Sequence, residues 1–183
     1  MVERSTLREA PQWSAGGWLG TLAPATRFIL QGEPLARAAA ADVIGVSSAE
    51  EPCRARTNGE RAVLWLGPDE LLLRAAAAER EALAGHLASA LAGRAHSLVD
   101  VSHRQLALEL SGRHAANLLN VGCPLDLDLT RFPVGMCTRT LFAKAEIVLW
   151  RTGDNRFQVE VLRSFAEYVA RVFIEASQDF APN

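Results

Sequence analysis

The chain runs twice through one order of elements: strand, glycine turn, helix, loop, hairpin, helix. In the first pass, Arg27-Phe28-Ile29-Leu30 reads as a strand that breaks at Gly32. An Ala-rich helix follows over 33–43, with Leu35, Ala38, Ala39 and Asp42-Val43 at helical spacing. The polar stretch 47–60, with Pro52 and Asn58-Gly59, reads as a loop. Strands at 62–66 and 70–73 flank Gly67-Pro68-Asp69, and a helix over 75–91 carries Leu83, Leu87 and Leu91 on one stripe before Gly93. In the second pass, 106–110 is a strand ending at Ser111-Gly112, and 113–121 is a helix with Ala115, Leu118 and Leu119 on one face. A loop over 123–135 leads to an extended stretch at 139–142, then a hairpin of 147–150 and 156–161 around Thr152-Gly153-Asp154-Asn155. The last helix opens on Ser164-Phe165-Ala166-Glu167, a capping-box pattern, with Phe165, Tyr168, Val169, Val172 and Phe173 as its apolar stripe. Gln31-Gly32 and Ser111-Gly112 lie 80 residues apart, and Trp65 and Trp150 lie 85 apart. These spacings predict an α+β fold built from a duplicated unit, 27–93 and 98–177, whose antiparallel sheets share one core behind packed helices. Residues 1–26 read as an irregular arm carrying Trp13 and Trp18 around a diglycine. Such aromatics suit either the arm's own core or another subunit.

Size and charge bound the function classes. A chain of 183 residues buries a sufficient core without disulfide or metal staples. Nineteen Lys and Arg face twenty-one Asp and Glu, spread evenly over both halves, so no basic surface for nucleic acid is encoded. No run approaches the ~20 apolar residues of a membrane span, and the N-terminus lacks the apolar core of a signal peptide. The expected location is the cytoplasm. Cys53, Cys123 and Cys137 are too widely spaced for a zinc site or a disulfide framework, and read as small, partly buried hydrophobes.

No dinucleotide fingerprint, phosphate loop, zinc-protease helix or nucleophile elbow is present. His86, His96 and His114 read as surface or helix-edge residues. His103 lies in Asp100-Val101-Ser102-His103-Arg104, just before a strand. Asp100 and Ser102 can shape the strand entry through local hydrogen bonds. The alternative, a Ser102-His103-Asp100 triad, suffers because neighbours on an extended chain face opposite ways. Asp126 and Asp128 alternate with leucines and offer too few oxygens for a cation site. The residues thus assign no catalytic, cofactor-binding or metal position.

Asp-Val-Ser-His at 100–103, a strand, and Ser111-Gly112-Arg113-His114-Ala115 resemble the folate-binding aminomethyltransferase superfamily, the fold of the glycine-cleavage T-protein. A closer resemblance is to the gamma subunits of heterotetrameric sarcosine oxidase. It rests on 99–111, Gly122-Cys123-Pro124-Leu125-Asp126-Leu127, Phe132-Pro133-Val134-Gly135, Val148-Leu149-Trp150-Arg151-Thr152-Gly153 and Arg163-Ser164-Phe165-Ala166. The resemblance implies a T-protein-like fold and a non-catalytic role in assembly and support. The implied complex demethylates sarcosine oxidatively to glycine. Alpha, beta and delta-type subunits would be the partners, carrying FAD, FMN, NAD, zinc and tetrahydrofolate. In the T-protein group, a Gly-rich segment before the second hairpin ends in paired aspartates that orient folate. Here Ala145 and Glu146 occupy those positions, and the glycines are replaced. An alternative is a stand-alone folate-binding or aminomethyl-transfer protein using Asp100, His103 and Glu146. A third is a small scaffold of another amine-oxidising complex.

Overall fold

The computed structural model describes residues 14–15, 17–46 and 50–180. Trp13 lies outside the described residues. The strands are β1 (Ser14–Ala15), β2 (Leu19–Thr21), β3 (Ala25–Gly32), β4 (Ala55–Asn58), β5 (Arg61–Gly67), β6 (Glu70–Ala76), β7 (His96–Asp100), β8 (Gln105–Ser111), β9 (Cys137–Phe142), β10 (Ala145–Gly153) and β11 (Arg156–Leu162). The helices are α1 (Pro34–Ile44), α2 (Arg80–Leu91), α3 (Ala115–Asn120) and α4 (Arg163–Ser177). Two antiparallel sheets form, in the orders β4-β5-β6-β3-β7 and β1-β2-β8-β11-β10-β9. The fold is therefore α+β, a duplicated unit with helices packed on antiparallel sheets.

The two units exchange strands. β2 precedes the first unit yet pairs with β8, while β7 precedes the second and pairs with β3. Each sheet is thus completed by the strand that leads into the other. The segment read as an irregular arm is, from Ser14, strand in part: Leu19 is buried opposite Leu110, and Ser111 donates its main-chain N–H to Trp18 O at 2.8 Å. Strands of two and three residues are too short to show a period-2 pattern, which is why the sequence hid them. β4 was likewise hidden inside the expected loop 47–60, and β7 was not read as a strand. Both are edge strands: β4 pairs with its neighbour β5 across Gly59-Glu60, and β7 with the distant β3.

Three apolar layers result. α1 and α2 cover one sheet over Leu30, Leu71, Leu73, Leu83 and Leu87. α3 and α4 cover the other over Leu108, Leu149, Val159, Val169 and Phe173. Between the sheets lie Leu64, Leu72, Cys137 and Val148. The sheets are also stitched at one edge, where Ala55 N–H reaches Gly135 O at 2.8 Å and Cys137 N–H reaches Cys53 O at 2.9 Å.

Some sequence expectations need correction. Trp65 and Trp150 are not equivalent. The bulges place Gly67 and Gly153 at matching positions, so Arg151 is the counterpart of Trp65 and Trp150 that of Leu64. A one-residue offset changes the face: Trp65 packs under the helices and Trp150 between the sheets. The buried face of α1 is Ala36, Arg37, Ala40, Ala41 and Ile44, whereas Leu35 is 70% exposed. The capping box does not form either. α4 starts one residue earlier, at Arg163, whose N–H is held by Arg104 O at 3.0 Å. Ser164 therefore lies inside the first turn, and Glu167 pairs with Arg171 at 2.7 Å. Phe165 points outward, and the buried stripe runs through Ala166, Val169, Ala170, Phe173 and Ala176.

Candidate functional site

The first polar centre lies between the sheets. Arg27 on β3 and Glu160 on β11 are each 1% exposed, and they pair through Nε–Oε2 at 2.7 Å and Nη2–Oε1 at 3.3 Å. Gln158 Nε2 donates to Glu160 Oε1 at 2.7 Å, and Arg27 Nη1 donates to Ala25 O at 3.0 Å. Arg74 on β6 stands 3.5 Å from the same carboxylate. Burial pulls the Arg74 pKa down, against the partial support of Glu160. Sequence reasoning passed over this cluster. The signal was available: Arg27, Arg74 and Glu160 stand among apolar neighbours at positions of inward parity.

The second is the Asp100–His103 segment. Arg80 at the start of α2 donates to Asp100 Oδ2 at 2.6 Å, and its Nη1 lies 2.8 Å from His103 Nε2. Asp100 Oδ1 accepts from Ser102 N–H at 2.9 Å. Ser102 turns away onto β3, where its hydroxyl accepts from Arg27 N–H at 2.9 Å and donates to Arg27 O at 3.4 Å. The hydroxyl thus continues the β3–β7 ladder past its last residue. Asp100 and His103 converge on an arginine, and Ser102 joins neither in a proton relay. Burial raises the Asp100 pKa, but the hydrogen bonds from Ser102 and Arg80 outweigh it and hold the carboxyl below its usual range. We expect Asp100→Ala to cost about 1 kcal/mol at pH 7, while His103→Ala leaves stability nearly unchanged. A carboxyl whose folded pKa is lowered stabilises above its ordinary value near 3.9 and loses that contribution as pH falls through the lower folded value. The difference between wild type and Asp100→Ala, read by urea melts, should therefore be full at neutral pH and shrink below about pH 4. A difference that grows in acid contradicts this assignment.

The third feature gathers the segments of family resemblance. Arg151 on β10 is 3% exposed. Its Nη1 donates to Leu127 O at 2.9 Å and Phe132 O at 2.7 Å, its Nη2 to Asp154 O at 2.5 Å, and its Nε to Gly153 O at 3.4 Å. The guanidinium also lies 4.7 Å from the centre of the Phe157 ring. One cation thus holds the loop between α3 and β9 against the second hairpin. Gly122 closes the other end of that loop. A Cβ there would meet Ala143 N at 2.8 Å and the Phe142 ring at 3.1 Å, so only glycine allows the approach by which Ala143 N–H reaches Gly122 O. Asp126 and Asp128 form successive turns, with Asp126 Oδ1 accepting from Asp128 N–H and Asp128 Oδ1 from Thr130. Hydrogen bonds from Thr130 lower the Asp128 pKa.

Glu146 sits at the mouth of a cleft of about 220 Å³ between the sheets, lined also by Ile29, Glu70, Val99, Arg139 and Ile147. Arg139 donates to both carboxylate oxygens of Glu70, at 3.0 and 2.6 Å, and lies 3.6 Å from Glu146. The hydrogen bonds that Arg139 donates to Glu70 raise its pKa. Val99 and Val101 face this cleft, so Asp100 between them faces the other side of β7. Asp100 and His103 therefore do not share a site with Glu146. His86 and His96 are exposed, and His114 stacks on Phe180 with ring centres 5.2 Å apart. Burial pushes the Cys137 thiol up to about 12, while Cys123 is buried and Cys53 half-buried. Among the described residues, no three His, Cys, Asp or Glu come together as a metal site, and no helix is long and apolar enough to cross a membrane.

Known proteins give this geometry a context. Residues 32–179 match the model of the sarcosine oxidase gamma subunit family. The gamma subunit of sarcosine oxidase from an Arthrobacter species is 41% identical over 120 residues, covering 66% of this chain and 58% of that protein. The gamma subunit from Corynebacterium sp. strain U-96 is 36% identical over 143 residues, covering 78% and 68%. Among solved structures, the heterotetrameric sarcosine oxidase of Corynebacterium sp. U-96, in complex with pyrrole 2-carboxylate, matches with a TM-score of 0.84 at 33% identity, over 90% of this chain and 85% of that one. The glycine cleavage aminomethyltransferase T of Bartonella henselae shares the fold, with a TM-score of 0.64 at 16% identity over 84% of this chain and 44% of that one. The loop, the arginine that holds it and the strands around them all fall within the matched span, and the chain belongs to the sarcosine oxidase gamma subunit family.

Proposed function

We infer that the chain serves as a non-catalytic gamma-type subunit of a heterotetrameric sarcosine oxidase, acting in assembly and support of the oxidative demethylation of sarcosine to glycine. Its partners in this reading are alpha, beta and delta-type subunits in the cytoplasm. Those subunits carry FAD, FMN, NAD, zinc and tetrahydrofolate. One observation carries the reading: the polar groups that could do chemistry are spent on structure. Asp100 and His103 are tied to Arg80, and Glu146 lies beside Arg139 on the other face of β7. General acid–base work needs groups that converge on one substrate. The folate position supports the same reading. The T-protein group presents aspartate on a glycine-rich backbone there, whereas this chain presents buried Ala145 and a Glu146 that is 65% exposed and paired. Zinc fits poorly as well, because ligation takes thiolate and Cys137 is held protonated by burial.

Co-expression with the flavin-bearing subunits of a sarcosine oxidase tests the reading. The expected result is a stable hetero-oligomer that oxidises sarcosine, with the isolated chain colourless after dialysis. A near-stoichiometric flavin band on the isolated chain overturns it. So does tight tetrahydrofolate binding by calorimetry without association, which establishes the stand-alone alternative.

A further inference from the structure

We propose that the outer edge of β7 receives an extended segment of a partner subunit, which adds a sixth strand to the five-stranded sheet. This rests on the chain being a subunit of a larger complex, and it names the surface used. The exchanged strands supply the argument. β2 in one sheet and β7 in the other hold equivalent places, each beside the first strand of a unit. Beyond β2 lies β1, paired antiparallel through Ser14 opposite Gly20 and Ala15 opposite Leu19. Beyond β7, among the described residues, lies nothing. The duplication therefore leaves one strand position filled in the first sheet and open in the second.

The open position is chemically primed for main chain. Val101 N–H donates to Arg27 O at 2.9 Å, and antiparallel pairing alternates, so Val99 and Ser97 also turn their main-chain groups toward β3. The N–H and C=O groups of His96, Leu98 and Asp100 face away from it. Four of the five residues of β7 are exposed and the fifth is half-buried. Free edges are ordinarily blunted by lysine, proline or a bulge. β7 has none of these, and its one carboxylate, Asp100, is turned to Arg80. The other long edges differ: β4 and β9 are drawn together by the Arg54–Met136 pairing. The side chains also select the guest. Val99, 50% exposed, lies at the rim of the cleft between the sheets. An incoming strand therefore gains from an apolar residue beside Val99 and gains its main affinity from backbone hydrogen bonds. The guest is an extended peptide of at least three residues, antiparallel to β7 as β1 is to β2.

Hydrogen exchange with mass spectrometry over 95–101 tests this on the full chain, free and assembled with the other subunits. In the free chain the amides of His96, Leu98 and Asp100 should exchange fast and those of Ser97 and Val99 slowly. In the complex, the three fast amides should become slow. His96→Pro removes one outward donor without touching the β3 ladder, because proline is tolerated at the first residue of an edge strand. It should weaken the complex about tenfold while the melting temperature of the free chain stays unchanged. Slow exchange of all five amides in the free chain overturns the inference, because the edge is then already covered by the chain itself. So does a dimer of this chain alone that protects them. A complex that forms with exchange at 95–101 unchanged overturns this inference and leaves the subunit reading standing. Failure of any complex to form overturns both.

Discussion

Glu160→Ala is expected to lower folding stability by about 3–5 kcal/mol, the largest loss from any single polar side chain here. The reason is what the substitution leaves behind. Arg27 is 1% exposed and hydrogen-bonded to Glu160 through two nitrogens, and Arg74 stands beside the same carboxylate. Without Glu160, two guanidinium groups face each other between the sheets, with Glu60 acting on Arg74 but the buried Arg27 stripped of its carboxylate partner. Water can reach Arg74, which is 17% exposed, but not Arg27. Urea denaturation followed by tryptophan fluorescence reads the loss. The triple variant Arg27→Met, Arg74→Met, Glu160→Leu separates charge imbalance from packing. Replacing a whole buried charge cluster with apolar residues is often neutral or stabilising, so the triple variant should recover most of what Glu160→Ala loses. A cost below about 1 kcal/mol for Glu160→Ala means that the sheets open enough to hydrate Arg27, and the inter-sheet layer described above is then wrong.

That cluster also marks where the sequence stopped being readable. The duplicated order, the two hairpins and the stripe of Leu83, Leu87 and Leu91 were legible because each is a local periodicity with a buried side. Strands β2 and β7 were not, since what makes each a strand is a partner in the other half of the chain. No local window contains that information. The start of α4 shows the same limit in small. A capping box lay in the sequence at Ser164, yet the main chain of Arg104, across the fold, fixed the first turn at Arg163. The matched tryptophans misled for a different reason. Trp65 lies two residues before its bulge glycine Gly67 and Trp150 three before Gly153, and that one-residue offset along the strand turns the two side chains to opposite faces. For the site, local hydrogen bonding by Asp100 was legible, because Asp two residues before Ser102 N–H is turn chemistry. Arg80 as the shared partner of Asp100 and His103 was not, as it arrives from a helix 20 residues earlier.

Arg151→Ala should cost roughly 3 kcal/mol and loosen the 123–135 loop more than the sheet beneath it. The guanidinium replaces the water that would otherwise satisfy the carbonyls of Leu127, Phe132 and Asp154, and it does so from one buried atom group. Burial pulls the Arg151 pKa down, with Asp154 and Asp128 partly opposing, but arginine stays charged throughout the usable pH range. Its hydrogen bonds are therefore of the stronger, charge-assisted kind. Removing the side chain strands several acceptors at once and leaves a void over the Phe157 ring. Arg151→Lys is the sharper test. An ammonium keeps the charge but offers its donors from a single nitrogen, which cannot span the gap between Leu127 on one side and Asp154 on the other. A loss of roughly 2 kcal/mol is expected, with the charge unchanged. Limited proteolysis supplies the local readout: cleavage within 123–135 should accelerate in both variants, at a protease concentration that leaves wild type intact. If Arg151→Lys matches wild type in both stability and cleavage, the loop is held by its own turns at Asp126 and Asp128, and the arginine contributes charge alone. If both variants lose stability but the loop is cut no faster, the loss lies in the packing of Phe157 beneath it. The expected pattern, a global loss of roughly 2–3 kcal/mol with accelerated cleavage concentrated in 123–135, assigns the conformation of this family-matching loop to one side chain on the neighbouring hairpin.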